Sequence, residues 1–427
     1  MHSLSRRHFF QGATAALSAT RVMGANDKVN MGLVGLGGRG MNHLDSYIAI
    51  PGAHVAGLCD VNQAARERAQ SRLAKAGAPK GAEFIDMREM FSGNKVDAVS
   101  IATPNHWHAL ATIWACQAGK DVYCEKPASH NIHEAWRMIE VARQTKRMVQ
   151  IGSQSRSTPH KMKAIQQMKD GLIGPLFMAK GLCFKRRRSI GKTPPQPVPA
   201  GINWDLFLGP APMREFTKNR FAYNWHWFWD TGNGDIGNQG IHEMDLCRWG
   251  LGDIGLPKAI SSTGGKFVYD DDQETPNTQM ATFGYGAKEI MFEVRGLLTG
   301  PEGGNPVGTY GVGNLYFGSE GWAWLDDRSF QAYKGEKSEK FIDQKNEGGN
   351  TTVMHMENFL SACRSRNHSD LHADIEIGAT SVILVHMANI SYRTGRNLTW
   401  DGVKKNFGSD AAANKLMTRD YRKPYVV

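Results

Sequence analysis

At 427 residues, with 41% hydrophobic and 22% charged positions, the chain has the composition of a globular protein long enough for two domains. No apolar run approaches the roughly 20 residues that cross a bilayer, so no stable membrane span is expected. The formal charge of +10 raises nucleic acid as a partner, but no basic helix with interleaved aromatics accompanies it, and no nucleic acid is expected. The basic cluster "KRRR" (Lys185 to Arg188) reads as solvated surface or as the lining of a substrate mouth.

The chain opens on "SRRHFFQGATAALSA", with paired Arg6 and Arg7 before a short, Ala-rich apolar stretch and small residues near Ala25. That order is the layout of a twin-arginine export signal. Residues 1–25 are therefore set apart from the fold, and the expected location is periplasmic or otherwise extracytoplasmic, reached through the twin-arginine export machinery. The six cysteines lie in strand-like runs (Cys59, Cys124, Cys183) or helix-like ones (Cys116, Cys247, Cys363), with no CxxC pair. They read as small buried hydrophobes rather than as a disulfide framework, and no metal site is expected.

From Lys28 the pattern becomes strand, glycine turn, helix. "VNMGLVGLGGRG" runs an apolar strand into Gly35, Gly37, Gly38 and Gly40. In G-x-G-x-x-G the first glycine permits the tight turn, the second lets backbone approach a pyrophosphate, and the third lets helix and strand pack closely. The next strand, "HVAGLCD", ends on Asp60, about 20 residues after Gly40, where a carboxylate hydrogen-bonds the ribose 2′-OH and repels a 2′-phosphate. NAD is thus favoured over NADP, although Arg39 inside the turn could sit near a 2′-phosphate.

A helix over Ala64 to Lys75, the strand "DAVSIATP", a helix "HALATIWACQAG", the strand "KDVYCEKP", and a helix from Ile132 to Thr145 before "RMVQIGSQ" complete an alternating unit. It predicts a doubly wound parallel sheet over residues 28–152. In "ATPNHWHA", Thr103, Asn105 and His108 lie where such sheets place ligands, with helix capping and surface exposure as the plainer reading of His106 and His108. In "CEKP", Lys126 is either a surface lysine or, desolvated beside other cations, a group with a lowered pKa that exchanges protons near neutrality.

Residues 153–427 read differently. A helix over Pro159 to Asp170 precedes the strand "GPLFMAKGLCF", and "TQMATFGYGAKEIMFEVRG" reads as two strands around Gly286. "NLYFGSEGWAWLDDRSFQAYKG" adds more, predicting a large, mostly antiparallel sheet with helices over Met354 to Arg364 and Ile375 to Arg393 packed on it. The aromatic run "FAYNWHWFWD" offers Trp225 and Trp227 either as sugar platforms or as a core strand with period-two aromatics. His226 and Asp230 are weaker candidates there. In "GDIGNQGIHEMDLCRW", a helix starting near Gly240 puts His242 and Asp245 on one face. His242 is then a core histidine or a base that Asp245 orients.

Taken together, "GLVGLGGRG", "LCDVN", "SIATPNHWH", "YCEKP", "IGSQSR", "GNQGIHEMDLCRW" and "ISYRTGRNLTWD" resemble the glucose–fructose oxidoreductase/inositol dehydrogenase/MocA (Gfo/Idh/MocA) family, in its order along the chain. The resemblance implies an N-terminal Rossmann domain and a C-terminal α/β domain with a large open sheet. It further implies hydride transfer with NAD on a sugar or polyol, and a homo-oligomer, dimer or tetramer. It makes Lys126 catalytic and nicotinamide-side, and adds Glu125 and Gln154 to the cofactor side. The family's D-x-G-x-H-x-x-D falls on Asn238, Gly240, His242 and Asp245, with Trp225 and Trp227 beside the substrate. Here the first aspartate is Asn238, an amide that cannot act as acid or base at neutral pH. Proton transfer then falls to His242 and Lys126. An exported enzyme has no free NAD pool, so a tightly held cofactor returned to its starting state is expected. Three functions follow: a carbohydrate oxidoreductase, a redox-neutral NAD-dependent glycoside hydrolase (oxidation at C3, elimination, water addition, re-reduction), or a non-catalytic sugar-binding or sensory protein.

Overall fold

The computed structural model describes residues 28–297 and 311–427. The export-signal reading falls on residues 1–25, outside the described residues. Six short strands, β1 (Val29–Val34), β2 (Ala53–Cys59), β3 (Ala82–Phe84), β4 (Ala98–Ile101), β5 (Asp121–Cys124) and β6 (Val149–Ile151), form one sheet. Every pairing in it is parallel, in the order β3-β2-β1-β4-β5-β6. The order reverses beside β1, and the crevice between β1 and β4 is where such sheets hold ligands. Strands β4 and β5 are buried at every position, as expected where helices cover both faces.

The second sheet has nine strands: β7 (Leu176–Phe184), β8 (Ala259–Gly265), β9 (Thr278–Gly284), β10 (Glu289–Arg295), β11 (Val312–Gly318), β12 (Gly321–Leu325), β13 (Ser329–Lys334), β14 (Glu339–Lys345) and β15 (Leu398–Thr399). Its order is β14-β13-β12-β11-β7-β10-β9-β8-β15. Only β7 and β10 run parallel; the other pairings are antiparallel. The turn between β9 and β10 needs Gly286, whose φ of 91° disfavours a side chain.

The helix Ile375–Thr394 is buried nearly all round, from Val382 through Ser391. It lies between the helix Ile132–Thr145 of the first unit and β8 of the second, tying the two together. Truncating Leu384, fully buried within it, to alanine would cost about 2–5 kcal/mol. The other late helix, Thr351–Ser365, corrects the sequence reading. Its Met356, Phe359 and Leu360 pack with Leu44, Tyr47 and Tyr123 of the parallel sheet's layer, not on the antiparallel sheet. An apolar stripe specifies that a helix is buried but not against which sheet. All six cysteines are free thiols, five of them buried and Cys363 half-buried.

Candidate functional site

Strand β1 ends at Val34, Gly35 follows it, and the helix Gly38–Ala49 starts three residues after that glycine with no side chain capping its first turn. Gly35 has φ 84°, and a Cβ there would lie 2.7 Å from the Ala102 carbonyl oxygen. A Cβ on Gly40 would lie 1.9 Å from the Gly35 oxygen, so this glycine lets helix and turn meet. Gly37 and Gly38 differ: nothing stands within 4 Å of a Cβ on either, and both open onto a cavity of about 700 Å³. That is within the range of about 300–1,000 Å³ for ligand sites. Beside them the Thr103 hydroxyl is buried and, among the described residues, has no partner. An uncapped helix start, two open glycines and an orphaned hydroxyl fit a dinucleotide's phosphates.

Asp60 lines the same cavity, its Oδ2 accepting the Leu36 amide at 2.6 Å and its Oδ1 the Asn62 amide at 2.8 Å. Burial raises its pKa, and those two amides oppose the shift. The arginine at this end is Arg68, which donates to the Leu36 carbonyl at 2.8 Å. Arg39, a possible partner of a 2′-phosphate, also lines the cavity, but it is engaged on the Glu125 side. Its Nε donates to Glu125 Oε1 at 2.8 Å.

Glu125 is a buried hub. Besides Arg39, its Oε1 meets His43 Nε2 at 3.0 Å and accepts Gln154 Nε2–H at 2.9 Å. Burial works to raise its pKa, but Arg39 and then His43 hold the carboxyl well below the usual range. Gln154 thus braces Glu125, donating also to the Tyr123 hydroxyl at 2.8 Å, and does not line the cavity. Lys126, the next residue, does line it, and its Nζ donates to the backbone carbonyl of Asn238 at 2.8 Å. Burial is the main cause lowering its pKa; Glu125 opposes that and Arg39 adds to it. His108 lines the cavity but is no surface residue, its two ring nitrogens lying 2.7 Å and 2.9 Å from the carbonyls of Pro127 and Thr103. His106 is buried too, against the Phe207 carbonyl at 3.0 Å. Asn105 does not reach the cavity: its amide donates to Asn233 Oδ1, which fixes the loop instead.

The aromatic run forms a 3₁₀ turn, Ala222–Trp227, rather than a strand. Phe221, Tyr223, Trp225 and His226 wall the cavity, with Trp225 stacked on His226 at 3.6 Å between ring centres. Trp227 is buried and carries the Arg187 guanidinium 5.3 Å above its ring, so it belongs to the packing and not to the cavity. Asp230 pairs with Arg214 at 2.7 Å, also outside the cavity. The motif stretch folds as two helices, Gly234–Asn238 and Gly240–Gly250.

Asn238 reaches the cavity; His242 and Asp245 do not line it. The Asp245 carboxylate is fully engaged elsewhere, taking Arg156 Nε at 2.8 Å, Arg156 Nη2 at 3.0 Å and the Ser381 hydroxyl at 2.6 Å. It cannot orient the imidazole, because i and i+3 share a helix face but an arginine arrived on that face first. His242 is pushed down to about 3 by burial and then by Lys126, so it is neutral at pH 7. Two groups had only a weak signal in the sequence. Asp235, one turn ahead of Asn238, is buried and receives Arg187 Nη2 at 2.6 Å and Nε at 2.9 Å. So one arginine of "KRRR" is half-buried in this site and not part of a solvated face.

A parallel sheet with an open glycine cradle, and a second sheet whose helices bring Asn238 to Lys126, define a dinucleotide-binding protein of two α/β units. The chain belongs to the Gfo/Idh/MocA oxidoreductase family: residues 29–153 match its NAD-binding Rossmann fold, and residues 177–263 and 322–427 its C-terminal alpha/beta domain. NAD is the dinucleotide this domain binds. Among curated relatives, a glycosyl hydrolase family 109 protein of Saccharopolyspora erythraea is 28% identical over 265 residues, 61% of this chain and 50% of the relative. An alpha-N-acetylgalactosaminidase of Shewanella oneidensis is 26% identical over 207 residues, 42% of this chain and 45% of the relative. The chain spans about half the length of the curated relatives it matches. A similar fold occurs in the WlbA dehydrogenase of Bordetella pertussis, solved with NADH and UDP-GlcNAcA (TM-score 0.64, 19% identity, 88% of this chain and 99% of that one). It occurs also in an aldose-aldose oxidoreductase of Caulobacter crescentus (TM-score 0.65, 17% identity, 87% and 99%).

Proposed function

We propose that this protein is an NAD-dependent oxidoreductase acting on a carbohydrate, exported by the twin-arginine route and assembled as a homo-oligomer. One observation carries the reading: the glycine cradle and Asp60 at one end, and Lys126 at the other, share one continuous cavity walled by aromatic side chains. Gly37, Gly38, Thr103 and Asp60 would hold the dinucleotide. Bound there, NAD would take a hydride from a carbinol carbon and, in a redox-neutral cycle, give it back. Lys126, with its lowered pKa and anchored on the Asn238 carbonyl, would accept the hydroxyl proton as a neutral amine and return it as an ammonium. Trp225 and Phe221 offer apolar faces to the C–H side of a sugar ring, excluding water from that side.

The second reading, a redox-neutral glycoside hydrolase, is favoured by the glycosyl hydrolase family 109 relatives. Denaturing the purified protein and assaying released NAD(H) tests the cofactor claim, and finding none, with no effect of added NAD, would sink it. Native protein is then given free sugars and aryl glycosides with and without added NAD. Reduced nicotinamide formed only with added NAD and a free sugar supports the oxidoreductase; aglycone release without added cofactor supports the hydrolase.

A further inference from the structure

The aromatic run and the basic stretch meet at one atom. The Tyr223 hydroxyl oxygen receives Nδ2–H of Asn238 at 2.9 Å and Nη1–H of Arg187 at 3.1 Å. Neither donor is free to reverse. A guanidinium has no acceptor. The Asn238 amide is oriented by Asp235, whose Oδ1 lies 3.4 Å from the same Nδ2 and, as a carboxylate, can only accept. Asp235 in turn is clamped by Arg187, so both donors stand on one buried ion pair.

Two N–H donors occupy both lone pairs of a neutral phenol oxygen. What remains to Tyr223 is its own O–H, and the side chain, 52% exposed, lines the cavity beside Lys126. The residue before it, Ala222, also lines the cavity and has φ 51°, a left-handed conformation that costs a residue with a Cβ about 1–3 kcal/mol. The wall is therefore held in a shape that local backbone preference does not favour.

Resting on the carbohydrate reading above, we propose that Tyr223 is a substrate-binding residue that offers an obligatory O–H donor to a second oxygen beside the reacting one, so that the substrate is a vicinal diol. Lys126 and Tyr223 are anchored on the same residue, one on the backbone oxygen of Asn238 and the other on its amide. They form a paired grip for neighbouring oxygens: Lys126 takes the hydroxyl that reacts, and Tyr223 donates to the hydroxyl oxygen on the adjacent carbon. Arg187 is a positioning residue that acts through Tyr223. This gives the asparagine a purpose. An aspartate at 238 would accept the phenol proton and turn it away from the cavity; the amide donates, and turns it outward.

The test uses the full-length holoprotein and a panel of methyl pyranosides with their monodeoxy analogues. Tyr223→Phe keeps the ring and should keep its bound NAD(H), yet lose about 10- to 100-fold in kcat/KM on the full substrate. That loss should vanish on the one analogue lacking the neighbouring hydroxyl, and Asn238→Asp should show the same pattern. Arg187→Met combined with Asp235→Asn, which leaves no unpaired buried charge, should lower kcat/KM less than Tyr223→Phe and likewise spare that analogue. Tyr223→Phe within twofold of wild type, or an equal loss on every analogue, overturns the proposal. Should the wild type hold no NAD(H) or turn over none of the panel, the functional reading itself fails. The grip is then judged by binding of the same glycosides, followed through tryptophan fluorescence, with equal Kd for wild type and Tyr223→Phe overturning it.

Discussion

The two ends of the cavity are built by opposite means. At the dinucleotide end, Gly35 to Gly40 and Asp60 come from one strand–turn–helix–strand passage, and the backbone does most of the work. At the substrate end, Lys126, Arg187, Tyr223, Asp235 and Asn238 come from four separate stretches, and each is held in place by another of the five. The first end tolerates almost no variation in conformation but asks little of distant residues. The second can change its hydrogen-bond polarity by one substitution without a change of fold.

The sharpest way to separate the ends is to remove Lys126. Lys126→Ala should cost about 10²–10⁴ in kcat while NAD(H) is still recovered from the denatured protein, and unaltered turnover would remove the lysine from the reaction. Lys126 acts as a neutral amine in this scheme, so wild-type kcat/KM should rise with pH through a midpoint below 10.5, the ordinary lysine value. Glu125→Gln should cost about 1–3 kcal/mol in chemical denaturation, because half-exposed Arg39 and buried His43 both lose the carboxylate they share. Because Glu125 raises the Lys126 pKa, the same variant should move the rise in kcat/KM to lower pH; movement to higher pH would contradict the assignment.

Gly37→Val blocks the cradle rather than the core, since no atom stands within 4 Å of a Cβ there. NAD affinity should fall about 100-fold, or about 2.7 kcal/mol, with Tm nearly unchanged in the absence of cofactor. The smallest effect is on Glu243, whose carboxyl burial pushes up to about 8 and whose Oε2 is buried without a partner among the described residues. The unfolded chain loses this proton near 4.5 and the folded one near 8, so stability falls across that window. Glu243→Gln should therefore gain stability relative to wild type as pH rises from 4.5 to about 8, after which the gain levels. A gain that shrinks with rising pH would show that Glu243 is ionised in the fold.

The glycine turn, Asp60 and the lysine of "CEKP" were legible because their chemistry depends on local spacing, and local spacing is what a sequence displays. Asn105, Gln154, Trp227 and Asp245 sat in the same motifs and misled for a common reason. A motif position says which element carries a side chain, but not which neighbour reaches it first: Asn233, Glu125, Arg187 and Arg156 did so here. Arg187 and Tyr223 lay within stretches noticed only for charge and aromaticity, and nothing in either stretch announced that they meet.

By itself, then, the sequence determined the two-unit α/β fold, the family and the dinucleotide cradle, all of which follow from periodicity and short-range backbone geometry. Tertiary structure alone decided which faces the late helices cover, where Arg39 and Asp245 are committed, and which way the Tyr223 hydroxyl points. Those outcomes depend on hydrogen-bond partners tens to hundreds of residues away, competing for a limited number of lone pairs in a buried space.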